Sequence, residues 1–240
     1  MHRHSNAVEL LPRTFRIGSQ SPWLILAVLA PLWLGGCVTA TVQEVREADT
    51  GMSAGESIVV LGRRSQPATA ETELDFISCV AGNMTRGAAP VSVIPEQEFI
   101  DATFPWFEPR TAPARANDLP ALLDHPPIAN RLARMGLKYL VWIEGSTERT
   151  DSGGSLSCAV TPAGGGCFGF LSWENDSAYE ASIWDIETGV NAGRISSEAI
   201  GTSYMPAVIV PIPILARVRS SACTALADQL KAFVNNESPG

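Results

Sequence analysis

Five cysteines and the single histidine that follows the first of them hold most of the chemistry open to this 240-residue chain. The cysteines are Cys37, Cys79, Cys158, Cys167 and Cys223. After Cys37 the only histidine is His125, so a Ser-His-Asp or Cys-His nucleophile would have to use it. It stands in Leu122-Leu123-Asp124-His125-Pro126-Pro127, a helix start, where Asp124 or His125 acts as a cap. No Gly-x-Ser-x-Gly elbow is present. Asp101, Asp118, Asp124, Asp151, Asp176 and Asp185 are dispersed, without the spacing of a calcium loop. Gly164-Gly165-Gly166 lacks the Gly-Lys-Ser/Thr of a phosphate loop. A zinc site is disfavoured by the absence of Cys-x-x-Cys. These residues predict no enzyme, no metal and no cofactor.

Cys37 stands apart from the other four. Arg3, Arg13 and Arg16 make a basic start, and Pro22 to Trp33 is an apolar run too short to span a bilayer as a helix. Leu34-Gly35-Gly36-Cys37 follows directly and resembles a bacterial lipobox. The resemblance implies that residues 1–36 are a signal peptide, cut before Cys37, and that the Cys37 thiol carries diacylglycerol. Several acyl chains on one residue anchor stably where one chain does not. An ordinary signal peptide and an N-terminal membrane helix are the alternatives. Val38, rather than Asp, after the cysteine implies outer-membrane placement, with the domain facing the periplasm.

Removing residues 1–36 takes away three arginines and one glutamate, so 204 residues remain and the net charge moves from −8 to −10. A pI near 4.9 excludes nucleic acid as a partner and makes the acyl group, not a basic patch, the membrane attachment. Four cysteines in an oxidising compartment predict two disulfides, with three pairings possible. The glycine-rich stretch between Cys158 and Cys167 favours that pair, leaving Cys79 with Cys223 on two neighbouring helices. Free thiols at Cys79 and Cys223 are the alternative.

The elements that must position these residues follow from apolar periodicity. Residues 38–56 are polar and read, with Cys37, as a lipidated tether spanning 37–56; the folded domain is 57–235. Ser57–Gly62 and Val91–Ile94 read as short strands, and Leu137–Gly145 as the strongest strand. Helices are predicted over Glu71–Met84, Glu96–Phe104, Leu119–Leu123, Pro126–Met135 and Arg217–Val234. Residues 147–157 read as a strand end and turn, Gly166–Trp173 as a separate strand, and 177–202 as a hairpin about Glu187-Thr188-Gly189. The prolines at 206, 211 and 213 predict an irregular segment over 204–216. The fold class is α+β, a single mixed sheet with helices packed on it.

Two phrases carry a resemblance. Met135-Gly136-Leu137-Lys138-Tyr139-Leu140-Val141-Trp142-Ile143-Glu144-Gly145-Ser146-Thr147 resembles the helix-end and strand phrase of the curli-assembly (CsgG-like) lipoprotein group. Ala181-Ser182-Ile183-Trp184-Asp185-Ile186-Glu187-Thr188-Gly189 is similar to that group's strand ending in Asp and Thr-Gly. The resemblance implies an anticodon-binding-domain-like fold and an envelope lipoprotein, and brings no catalytic residue. Pore-forming members insert long alternating strands. Here 147–172 and 190–214 read as short, glycine-rich or proline-broken, so the pore is not carried over.

Two segments read as contact surfaces. Phe104-Pro105-Trp106-Phe107-Glu108-Pro109 places Trp106 and Phe107 either on a partner or as a lid over the domain's own core. Tyr204-Met205 opens the second, the proline-rich segment as far as Pro213, for which the same two readings hold. The expectation is a membrane-anchored, non-catalytic binding or assembly module with envelope-protein partners. The alternatives are an oligomeric secretion or pore subunit, and an envelope hydrolase working through carboxylates alone.

Overall fold

The computed structural model describes residues 38–63, 72–108, 110–113 and 115–237. The expected signal peptide, residues 1–36, and Cys37 lie outside the described residues. Six strands form one mixed sheet in the order β1-β6-β5-β4-β2-β3. They are β1 (Val38–Arg46), β2 (Ser57–Gly62), β3 (Val93–Ile94), β4 (Leu137–Thr161), β5 (Gly164–Asp185) and β6 (Asn191–Pro211). The helices are α1 (Leu74–Met84), α2 (Glu96–Ala102), α3 (Leu119–Leu123), α4 (Pro126–Arg134) and α5 (Val218–Val234). β2 runs parallel to β3 and β4; the other pairings are antiparallel. This is the α+β class expected from the order of elements.

The sheet feeds two cores because successive side chains of a strand point to opposite faces. Ile58 and Val60 of β2, with Tyr139, Val141 and Ile143 of β4, join α1 and α5 in one core. Val59 and Leu61, with Leu140 and Trp142, join α2, α3 and α4 in the other. Burial of each such side chain stabilises the fold by roughly 1.5–3 kcal/mol. The chain passes from β2 through α1 to β3, then through α2–α4 back to β4 on the far side of β2. Crossovers of one hand in opposite directions put α1 and α2–α4 on opposite faces. α4 stops where Gly136 takes a φ of +65° just beyond the cap.

α5 buries Val218, Ala222, Cys223, Leu226, Ala227, Leu230, Phe233 and Val234 along one stripe, which lies on β1, β5, β6 and α1. The Cys79–Cys223 disulfide joins α1 to α5, with the two Cα atoms 6.3 Å apart. Arg46 closes the far end of α5. Its guanidinium sits 4.3 Å from the centre of the Phe233 ring and donates to the carbonyls of Phe233 and Glu237. A cation at a helix C-terminus meets the negative end of the dipole.

Three expectations are corrected here. Residues 38–46, expected as part of a tether, form the edge strand β1 through nine antiparallel pairs with β6. Residues 147–172, expected as broken pieces, belong to two continuous strands of 25 and 22 residues joined by a tight turn at Pro162-Ala163. The segment from 204, expected to be irregular, continues β6 as far as Pro211.

The physical reasons are local. Gly154 has a φ of +91°, and a Cβ there would collide with the Phe170 carbonyl across the ladder, so glycine permits this part of the strand. The carbonyl of Pro206 accepts from the Ile212 N–H, away from β5, so its missing N–H falls on the outer side of β6.

Candidate functional site

β1 ends the regular six-stranded region. Val38 is paired with Gly201, and beyond that level β4, β5 and β6 run on alone as a three-stranded arm. Gly201 is level with Asn175 and Arg149, so the arm comprises residues 150–161, 164–174 and 202–211, twelve, eleven and ten residues from β4, β5 and β6. At a rise of about 3.3 Å per residue the strands reach roughly 30 Å past Val38. The chain then folds back on the outer edge of β6, where Tyr204 and Ile214 exchange backbone hydrogen bonds of 2.8 and 2.7 Å.

The root of the arm is pinned to the helical layer. The Tyr179 hydroxyl donates to Glu73 Oε2 at 2.9 Å, and the Thr147 backbone N–H donates to Glu73 Oε1 at 3.1 Å. Thr147 Oγ1 lies 2.9 Å from the Tyr179 hydroxyl and 2.8 Å from Ser177 Oγ. The Tyr179 ring stacks on Phe76 of α1 with 3.5 Å between centroids. Burial first, then the hydrogen bond to Glu73, pushes the Tyr179 phenol well above its ordinary range, against an opposing contribution from Thr147.

A second polar cluster fixes the β5–β6 turn. Asp185 accepts from the backbone N–H groups of Glu187 and Thr188, both at 2.9 Å, and pairs with Lys138 at 3.0 Å. Burial pushes the Asp185 carboxyl up, but the Thr188 N–H and Lys138 outweigh it and hold the carboxyl below its ordinary value. The hydrogen bond to Glu187 is the main cause of a raised Lys138.

Residues facing one another across a ladder share a face. One face of the arm carries Leu156, the Cys158–Cys167 disulfide, Leu171, Met205 and Ile209. The opposite face carries Ser155 and Ser157 from β4, Phe168 and Phe170 from β5, and Tyr204 and Val208 from β6. The Phe170 and Tyr204 rings lie 5.8 Å apart. The tip is strongly exposed: Val160 at 91%, Phe168 at 74% and Val208 at 73%. Apolar side chains are thus exposed on both sides of the projecting ribbon.

Sequence reasoning reached part of this surface. Tyr204 and Met205 both lie on the arm, on opposite faces. Val208 belongs to the same proline-rich segment; Phe168 and Val160 were missed, and their signal was alternation through 155–160 and 166–172, masked by the glycines at 164, 165, 166 and 169. Phe107 is corrected: it is 3% exposed and packs edge-on against Phe99, 4.8 Å between centroids, so its ring is core and unavailable to a partner. Trp106 is half-buried, with the Arg131 guanidinium 5.4 Å from its ring. The segment is thus a lid tied down by Phe107, with Phe104 left on the surface.

Cys158 and Cys167 stand directly opposite each other near the turn of the arm, with Cα atoms 4.0 Å apart. His125 is exposed and occupies the N-cap position of α4 through its backbone carbonyl, without a side-chain capping bond. Among the described residues no group of three His, Cys, Asp or Glu side chains converges as a metal site, and no helix is long and apolar enough to cross a membrane.

No protein-family model and no curated protein matches the chain. Among solved structures, the chain is similar to the PelC dodecamer from Paraburkholderia phytofirmans in two crystal forms. A single-site variant in space group C2 is 12% identical, covering 82% of this chain and 99% of that one, with a TM-score of 0.36. The form in space group P6 is 12% identical, covering 84% of this chain and all of that one, with a TM-score of 0.35.

Proposed function

We propose that the protein is an outer-membrane lipoprotein, anchored through acylated Cys37 and facing the periplasm, whose domain serves as a non-catalytic binding or assembly module for envelope proteins. The observation that carries this reading is the apolar arm tip together with the register of β1. Val38 is level with Gly201 at the root of the arm, and Cys37 is its covalent neighbour, about 3.8 Å away between Cα atoms. An acyl anchor on Cys37 would therefore hold the arm root near the bilayer surface. The tip is then the part of the domain free to meet a partner at, or in, the membrane. Detergent extraction and co-purification test it. Phe168→Asp with Val208→Asp is expected to abolish the retained partners while the melting temperature stays within about 2 °C of wild type. Unchanged partners would refute the surface.

A second reading, a subunit of an oligomeric secretion pore, is favoured by one dimension. The ten to twelve residues per strand past the level of Gly201 reach the roughly 9–11 that a membrane-crossing strand requires. Vesicle leakage or a defined conductance from purified acylated protein would support it. Arm residues that stay fully accessible to a water-soluble quencher in liposomes would exclude it.

A further inference from the structure

The two outer edges of the arm differ. Along β6 the returning chain takes up the edge: Tyr204 and Ile214 exchange backbone hydrogen bonds, the Ile212 N–H donates to the Pro206 carbonyl, and Pro206 has no N–H to offer. β4 has β2 beside it only as far as Ile143. Beyond the irregularity at Thr150, its outer edge runs as Ser152-Gly153-Gly154-Ser155-Leu156-Ser157-Cys158-Ala159-Val160-Thr161, with neither a charge nor a proline. Folded proteins ordinarily blunt an edge with one of these or with a covering segment.

The register shows which backbone groups of that edge face outward. Along an antiparallel pair, residues that exchange hydrogen bonds with their opposites alternate with residues that point away from them. The Ser152 N–H donates to the Asp151 carboxylate at 2.7 Å, off the ladder, so the even-numbered residues of this stretch point outward. Cys158 agrees, because its Cα lies 4.0 Å from that of Cys167, the close spacing of a non-hydrogen-bonded pair. Outside the β4–β5 ladder, no hydrogen bond among the described residues engages the backbone of Gly154, Leu156, Cys158 or Val160. Donors and acceptors thus stand open at every second residue, the pattern that accepts an added strand.

We infer that the occupant of this edge is a second copy of the chain, with the two β4 strands paired antiparallel about a two-fold axis at Ser157. In this register Gly154, Leu156, Cys158 and Val160 of one copy face Val160, Cys158, Leu156 and Gly154 of the other, so the open donors and acceptors of both are used. Val160, 91% exposed in the single chain, comes to lie beside Gly154, which has no side chain to obstruct it. No Asp, Glu, Lys, Arg or His occurs over 152–173 or 199–216, so two arms meet without the repulsion that a net charge of −8 imposes elsewhere. Thr161 of each copy falls opposite Gly153 of the other, which keeps each tip clear of the other's root. The contact is isologous and closed. It needs neither the acyl anchor nor an envelope partner, so those readings and this one fail separately. Arms paired antiparallel cannot both enter a bilayer from one side, which sets the pairing against the pore.

The test is sedimentation of the full-length protein in detergent, with covalent capture of the register. A dimer that dissociates on dilution is expected. Leu156→Pro removes an outward N–H and leaves the β4–β5 ladder its own bonds. It is expected to weaken dimerisation at least about tenfold, with the Cys158–Cys167 disulfide formed and melting within about 2 °C of wild type. Leu156→Lys, which brings like charges together beside the axis, is expected to do the same. On photo-oxidation, Ser157→Tyr is expected to give dityrosine-linked dimers, and Ser155→Tyr, which faces Ala159, far fewer. A monomer at about 100 μM, undiminished dimerisation in both folded Leu156 variants, or equal linking from 155 and 157 would overturn the inference. So would a pure monomer that binds an envelope protein and loses it on Leu156→Pro, because the edge would then belong to an extended segment of that protein.

Discussion

Val38 and Gly201 face each other in the β1–β6 ladder. That pair marks where the six-stranded sheet stops and the three-stranded arm starts. Cys37 is the residue before Val38, so the proposed anchor attaches level with the middle of β6, where the projection begins. The proposed role depends on this relationship more than on any single side chain.

The two disulfides should differ in what they stabilise. Cys79–Cys223 closes 144 residues and staples α1 to α5, whereas Cys158–Cys167 closes nine within the arm. Chain entropy alone gives about 5 kcal/mol for the long loop and about 2–3 kcal/mol for the short one. Replacing Cys79 and Cys223 together by Ala is expected to lower the urea midpoint sharply. The same change at Cys158 and Cys167 should alter mainly hydrogen exchange of the arm. Equal global destabilisation by both would contradict this division.

The aromatic lid separates core from surface. Phe107→Ala removes a buried ring and should cost about 3–5 kcal/mol. Trp106→Ala removes a half-buried ring with a cation–π contact to Arg131, and should cost about 1–2 kcal/mol. Denaturant unfolding of the two variants checks the order.

The Asp185 cluster sets an acid limit. Its carboxyl lies below the ordinary 3.8 in the folded state. A depressed carboxyl stabilises the fold above its unfolded pKa, and that contribution is lost as pH falls through the folded one. Stability from this site should therefore be constant above about pH 5 and decline below about pH 4. Asp185→Asn should flatten that part of the urea-midpoint profile and, because Asp185 also helps to raise Lys138, weaken the alkaline dependence as well. Lys138 and Tyr179, both raised, contribute fully below their unfolded values and lose stability only above about pH 10.

Strands buried on both faces were plain in the sequence. Ile58–Leu61 and Tyr139–Ile143 are unbroken apolar runs, and α5 repeats its apolar positions at helical spacing. The arm was obscured because Gly154, Gly169 and Pro206 read as breakers in isolation. Partners on the ladder and a carbonyl turned outward make each of them compatible with a strand. β1 was hidden by its edge position: Val38, Ala40 and Val42 alternate with Thr39, Thr41 and Gln43, a half-exposed pattern easily taken for a tether.

The most direct measurement is photocrosslinking in intact cells, with a benzophenone side chain placed at Val208 on the arm tip and, as reference, at Asp228 on exposed α5. The account expects discrete envelope-protein adducts or self-adducts from position 208, none from 228, and loss of the 208 adducts when Cys37→Ala removes the anchor. Position 208 as unreactive as 228, or adducts indifferent to Cys37→Ala, would contradict it.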